Sequence, residues 1–133
     1  MPLDGATVSA AAVTRIVINR EPNDCGIVAL AMLLGLSYED VLRATTLSDR
    51  HQGRKGLWTR TMQRIAKRLG HTLRVRSTVD WDGDYGLLRL PEHAASLRNG
   101  LIIDVDGTIW DVETYMTNRK VEPMDCELLV CEE

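Results

Sequence analysis

The sequence predicts an α+β domain in which N-terminal helices pack on a C-terminal antiparallel β-sheet. Two observations indicate this fold class. Apolar residues between positions 25 and 70 recur at helical spacing, whereas beyond Gly70 they alternate as in strands. An Asp106–Gly107 pair also separates two apolar segments, as expected for a β-hairpin turn. We expect residues 1–12 to form a flexible tail and residues 13–133 to form a single domain.

The first elements surround a cysteine. Residues Val13–Asn19 alternate well enough for a short strand, and Asn23 or Asp24 is a natural N-cap for the helix that follows. This helix is apolar on all sides from Ile27 to Leu34, so we expect it to lie in the middle of the domain. A second helix is predicted to start at Ser37.

The segment "GLWTRTMQRIAKRLG" predicts an amphipathic helix that ends at Gly70. One face is apolar, and the other carries four basic residues, namely Arg60, Arg64, Lys67 and Arg68. The strand predictions that follow are "HTLRVR", "GLLRL", "LIIDVDGTIWDV" and "CELLVC".

The net charge of −3 conceals an uneven distribution of charge along the chain. Residues 43–76 contain ten basic residues and one acid, whereas residues 77–133 contain four basic residues and thirteen acids. The two blocks can face each other, or the basic block can face a polyanion. A nucleic acid is the less favoured partner, because the whole chain is acidic and only Trp58 offers an aromatic platform among the basic residues.

The three cysteines, Cys25, Cys126 and Cys131, lack CxxC spacing, which argues against a disulfide framework and against a zinc site. The apolar run from Ile27 to Leu34 is much shorter than the about twenty residues of a membrane span. The N-terminus lacks the basic and apolar regions of a signal peptide. We therefore expect a cytoplasmic protein without a metal, a cofactor or a membrane partner, and the pattern leaves its oligomeric state open.

The segment "LIIDVDGTI" permits a second interpretation, because it resembles the nucleophile motif of haloacid-dehalogenase-like phosphatases. That chemistry requires a parallel sheet and further downstream motifs, including a lysine and an acidic pair. Only 22 residues follow Asp111, and Lys120 is the only lysine among them. The hairpin interpretation is therefore favoured.

Cys25 is the candidate nucleophile because it lies in the first turn of the predicted central helix. The unpaired N–H groups and the dipole at a helix N-terminus stabilise a thiolate and lower the pKa of the thiol. Gly26 leaves room beside it for a substrate backbone. The alternative is that Cys25 is a small apolar residue packed at the start of a helix.

Three segments resemble those of papain-like peptidases that process bacteriocin leaders at a double glycine, and of their small stand-alone relatives in bacteria and phages. "NREPNDCGIVALAMLLG" resembles the nucleophile helix of that family. "GLWTRTMQRIAKRLGHTLRV" resembles the second helix with its strand, and "LIIDVDGTIWD" resembles the final hairpin. The resemblance implies a papain-like fold and a cysteine hydrolase site, and the phage relatives make a phage origin an expectation.

The resemblance assigns roles to particular residues. Cys25 matches the nucleophile, and Asp111 matches the acid that orients the histidine, although Val112 stands in place of the usual proline. Asn19 falls at the position of the glutamine that donates to the oxyanion. The position expected for the catalytic histidine is Gly100, which cannot accept a proton.

A displaced histidine is the remaining source of a base. His93, seven residues before Gly100, is the nearest candidate, and His51 and His71 are the other two histidines. For each of the three, a solvated or structural histidine is the alternative interpretation.

Three functions are compatible with this pattern. The favoured one is a catalytically degenerate papain-like protein that binds a peptide or protein partner in the Cys25 cleft or on the basic helix. The second is an active cysteine peptidase or acyl-transfer hydrolase that uses Cys25, His93, Asp111 and Asn19. The third is a nucleic-acid binder that uses the basic segment 43–76.

Overall fold

The structure is a computed structural model that describes residues 25–49, 58–91 and 93–132, with the side chain of Trp58 left out. Several sequence predictions lie outside the described residues, namely the tail at 1–12, the strand at Val13–Asn19, and the capping residues Asn23 and Asp24.

Helices precede strands, and all strand pairings in the described residues are antiparallel. The helices are α1 (Cys25–Leu34), α2 (Tyr38–Ala44), α3 (Trp58–Arg68) and α4 (Val112–Arg119), with a short 3₁₀ turn at Pro123–Asp125. The strands are β1 (Thr72–Arg76), β2 (Tyr85–Leu90), β3 (His93–Arg98), β4 (Leu101–Ile103), β5 (Ile109–Asp111) and β6 (Glu127–Glu132). They form one sheet in the order β1-β6-β2-β3-β4-β5, which confirms the predicted α+β class.

Helix α1 forms the centre of the core. Every residue from Cys25 to Leu33 is buried. The helix packs against the strands β2 and β3 and against the helices α2 and α3. This confirms the central position that its apolar composition predicts. Among the described residues no single helix has the length and apolar character of a membrane span, and α1 reaches that length only together with α2, across a bend of 112°.

The predicted ends of α2 and α3 are also confirmed. Ser37 caps α2, since its side chain accepts from the N–H of Asp40 and the Asp40 side chain accepts from the N–H of Ser37. Beyond α3, Gly70 adopts a φ of 86°, and the N–H of His71 donates to the carbonyl of Ala66 at 2.9 Å. This closure satisfies one of the free carbonyls at the helix end.

Two elements differ from the sequence pattern. Strand β3 occupies "HAASLR", where two alanines and a serine make the apolar alternation weak. Helix α4 begins where the pattern continues a strand, because Asp111 caps it by accepting from the N–H of Thr114. The hairpin between β4 and β5 is confirmed, with Gly107 at a φ of 87°.

We expect Gly86→Ala to destabilise the fold, because Gly86 lies in a crowded central strand. An added Cβ would lie 2.7 Å from the carbonyl oxygen of Leu129 and 2.9 Å from a methyl group of Leu128. Since the backbone of β6 cannot move without disturbing its pairing with β2, the loss should be about 1–3 kcal/mol in the free energy of unfolding. Urea denaturation would measure it.

Gly83→Ala is the matched control. Its Cβ would lie 2.6 Å from a carboxylate oxygen of Asp80, but that side chain is exposed and can rotate away. The control should change stability by less than about 0.5 kcal/mol. Equal losses in the two variants would show that the contact with β6 is not the cause.

Candidate functional site

Cys25 lies at the N-terminus of α1 and faces the beginning of β3. Its side chain is buried, and the nearby backbone N–H groups of Ala94 and Gly26 act to lower the pKa of its thiol. Ala94 is the second residue of β3 and follows His93 directly. The packing of α1 on β3 therefore brings the thiol to the end of the strand that carries a histidine.

His93 forms a short contact with an acidic residue at this end of the sheet. Its Nε2 lies 2.7 Å from Oδ1 of Asp104, and both side chains are 13% exposed. Asp104 directly follows β4, and its Oδ1 also accepts from the N–H of Val105 at 2.8 Å. The negative charge of Asp104 acts on the Cys25 thiol as well. The fold thus gathers a thiol, an imidazole and a carboxylate from three separate elements.

The pKa of the Cys25 thiol shifts in the direction opposite to the one expected from the sequence. Burial raises the pKa of the Cys25 thiol, and the negative charge of Asp104 adds to the rise, while the N–H groups of Ala94 and Gly26 offset only part of it. The helix N-terminus alone therefore does not produce the lowered pKa that the sequence pattern predicts. In the described residues around it, desolvation is the larger effect.

Asp104 is held in its ionised form. Burial opposes its ionisation, but the hydrogen bond and charge of His93, the N–H of Val105 and the charge of Arg119 together keep the pKa of its carboxyl below the ordinary value. A carboxylate in hydrogen-bond contact with an imidazole fixes the orientation of the ring. Cys25, His93 and Asp104 therefore supply a thiol, an imidazole and a carboxylate, the three kinds of group that a cysteine hydrolase uses.

Asp111 lies at the other end of the same strands. It pairs with Leu101, which pairs with Arg98, whereas His93 is five residues from Arg98 along β3. At about 3.3 Å per residue this separation is roughly 16 Å. The carboxylate that contacts the imidazole is therefore Asp104 rather than the Asp111 that the resemblance assigns.

The carboxylate of Asp111 caps the N-terminus of α4. Its Oδ1 accepts from the N–H of Thr114 and its Oδ2 from the Thr114 hydroxyl, each at 2.8 Å. These two bonds lower the pKa of the Asp111 carboxyl. Asp111 and Gly100 also line a groove of about 840 Å³ to which neither Cys25 nor His93 contributes. The glycine at the expected histidine position thus belongs to the β3–β4 turn, away from the thiol.

A comparison with known protein families identifies the family of this chain. Residues 14–80, about half of the chain, match the model of the Peptidase C39 family. The chain belongs to the Peptidase C39 family. The match supports the papain-like resemblance and the α+β fold with a helix that begins at Cys25. It contains Cys25 and ends before His93 and Asp104. Searches among curated proteins and among solved structures found no match to the chain.

The remaining candidate residues from the sequence are Asn19, His51 and His71. Asn19 and His51 lie outside the described residues. His71 directly precedes β1, where its backbone closes the end of α3. No group of three His, Cys, Asp or Glu side chains in the described ranges is arranged to hold a metal ion.

The basic residues of α3 are only partly available to a partner. Arg64 and Arg68 both form ion pairs with Asp49, whose side chain is 3% exposed. Arg60 and Lys67 line a shallow groove next to β1, together with Arg64 and other residues. The acid at Asp49 therefore neutralises part of the positive face that the sequence predicts.

The sequence pattern does not identify Asp104 as a residue of this site. An available signal is the Asn99–Gly100 pair, which is typical of a two-residue hairpin turn. Both residues adopt positive φ values, 48° and 86°, and they join β3 to β4. A hairpin centred there brings His93 and Asp104 to the same end of two paired strands.

Proposed function

We propose that the protein is an active cysteine peptidase or a related acyl-transfer hydrolase. Cys25 is the nucleophile, His93 the general base and Asp104 the acid that orients the imidazole. The observation that carries this proposal is the His93–Asp104 contact of 2.7 Å at the start of β3, the strand against which the Cys25 helix packs. The glycine at position 100 does not weaken it, because that turn lies at the opposite end of β3.

The reaction follows from these roles. His93 takes the proton of the Cys25 thiol as the sulfur forms a bond to the substrate carbonyl carbon, and the C=O electron pair moves to the oxygen. The protonated His93 then donates to the leaving nitrogen as the C–N bond breaks. Water, deprotonated by His93, attacks the thioester, and the sulfur leaves and recovers its proton. We propose the Asn19 amide as a donor to the oxyanion.

The substrate class is proposed from the resemblance to leader-processing peptidases. A peptide with a Gly-Gly pair before the cleaved bond is the first substrate to test, since glycines let the backbone approach a cysteine residue that is only 6% exposed. We propose that this peptide, or the protein that carries it, occupies the Cys25 cleft. The three free thiols among the described residues support a reducing, cytoplasmic location.

The second candidate is a degenerate papain-like protein that only binds a partner. The observation that favours it is the burial of Cys25, which raises the pKa of the thiol and so reduces the fraction of thiolate. The partner would be a peptide or protein in the cleft or on α3. A nucleic acid on the basic segment 43–76 is a third candidate, less supported because Asp49 pairs with Arg64 and Arg68.

Site-resolved alkylation separates the first two candidates. We expect iodoacetamide at pH 6 to alkylate Cys25 at least about tenfold faster than the exposed Cys131 of the same chain, because the proposed base His93 takes the thiol proton. Asp104→Asn should lower the Cys25 rate about tenfold or more, whereas Asp111→Asn should leave it unchanged. Mass spectrometry of the digested protein would measure the modification at each cysteine.

The two Asp→Asn variants form a matched pair, since each removes one charge from a carboxylate that accepts hydrogen bonds. A Cys25 that reacts no faster than Cys131 would favour the binding protein. A rate that depends on Asp111 and not on Asp104 would contradict the assigned acid.

A further inference from the structure

We propose that Tyr115 and Arg119 on α4 position Asp104, and through it His93, for catalysis. This inference rests on the proposed function and deepens it, because it adds two positioning residues to the Cys25 site. It follows from the surroundings of the second carboxylate oxygen of Asp104, which His93 does not contact. Both residues lie beyond the segment that matches the family model.

The two oxygens of Asp104 have different neighbours. Oδ1 accepts from the N–H of Val105 and contacts Nε2 of His93. Oδ2 lies 3.8 Å from a guanidinium nitrogen of Arg119. A carboxylate held at one oxygen can still turn about its Cβ–Cγ bond, since that torsion is broad. An interaction at the second oxygen fixes the plane of the group and thereby the direction of the bond to His93.

Tyr115 holds the side chain of Arg119 through a hydrogen bond. Four residues apart on α4, their side chains lie on the same face of the helix. Nε of Arg119 donates to the Tyr115 hydroxyl at 3.0 Å, and the guanidinium lies 5.7 Å from the ring centre. Arg119 therefore links the Tyr115 hydroxyl to the Asp104 carboxylate, and the hydroxyl keeps its own proton for donation.

The phenol is held in place and kept neutral. Tyr115 is 1% exposed, and the edge of Trp110 packs against its ring at 5.7 Å with an interplanar angle of 72°. Burial and the charge of Asp104 strongly raise the pKa of the Tyr115 hydroxyl. It therefore remains a hydrogen-bond donor at every pH at which the peptidase would work.

Tyr115→Phe tests this proposal because it removes only the hydroxyl. We expect kcat on a fluorogenic Gly-Gly peptide to fall about fivefold, as the loss of one hydrogen bond implies, with KM changed less than about twofold. Arg119→Ala should lower kcat at least as much, and Arg119→Lys should recover part of the loss because it retains the positive charge.

Tyr85→Phe is the matched control. It also removes a hydrogen-bonded hydroxyl, which donates to the carbonyl of Met32, but Tyr85 pairs with Arg98 at the end of β2 away from His93. This variant should leave kcat unchanged. Equal losses in Tyr115→Phe and Tyr85→Phe would overturn the proposal, since both would then reflect a general effect on stability.

A second readout keeps the positioning role separate from the proposed function. Carbon-13 NMR of the Asp104 carboxyl would give its titration midpoint in the wild type and in Arg119→Ala. We expect the midpoint to move to higher pH in the variant, because the cation that favours the ionised form is gone. An unchanged midpoint would overturn the positioning role, even if the enzyme is active. A wild type that cleaves no peptide but shows the shift would reject the peptidase and retain the contact.

Discussion

His93→Ala is expected to reduce kcat/KM on a Gly-Gly peptide by about 10²–10⁴-fold, the usual contribution of a general acid–base group. The imidazole of His93 contacts Asp104, whose charge also acts on the Cys25 thiol at the start of α1. Without it, neither the thiol proton nor the leaving amine has a partner for transfer. Hydrolysis of a fluorogenic peptide, followed across pH 5–9, would measure the loss.

His71→Ala is the matched control, because it also replaces a histidine by alanine. Its imidazole lies next to β1, at an edge of the sheet and away from β3. We expect kcat/KM to remain within about twofold of the wild-type value, which is close to the error of such assays. If both histidine variants retain full activity, the base is neither residue and the assignment of His93 fails.

Leu30→Ala is expected to lower the free energy of unfolding by about 2–5 kcal/mol. Leu30 lies in the middle of α1 with an exposed fraction of 0%, so removal of its side chain leaves a cavity in the core around the helix. The loss comprises the transfer free energy of the side chain and the cost of that cavity. Urea denaturation would show a lower midpoint with an unchanged slope.

Leu47→Ala makes the same substitution at a surface position. Leu47 is 84% exposed, and its replacement should change stability by less than about 0.5 kcal/mol. A Leu30→Ala variant as stable as Leu47→Ala would contradict the central position of α1, and with it the packing that brings Cys25 to β3.

The elements with strong periodicity could be predicted from the sequence. Helix α1 is apolar on every side, and α3 has one apolar and one basic face, so both patterns have a single structural interpretation. Strand β3 could not be identified in the same way, because its small residues weaken the alternation. Helix α4 begins only because Asp111 caps it, a hydrogen bond that periodicity does not reveal.

Part of the candidate site could be predicted from the sequence. Cys25 at the start of a buried helix and His93 as a replacement base were both predicted, and the structure brings them to one end of β3. Asp104 was not, since the family resemblance assigns the acidic role to Asp111. The missing information is the register of β3 on β4, which depends on a turn at Asn99–Gly100 and on long-range packing.

The distance between the Cys25 sulfur and the nearest imidazole nitrogen of His93, measured in an experimental structure, tests the central claim most directly. The proposed mechanism predicts a separation of no more than about 4–5 Å, with Asp104 on the other side of the ring, because proton transfer requires hydrogen-bond reach. A structure in which Cys25 and the His93–Asp104 pair lie on opposite faces of the sheet would contradict it.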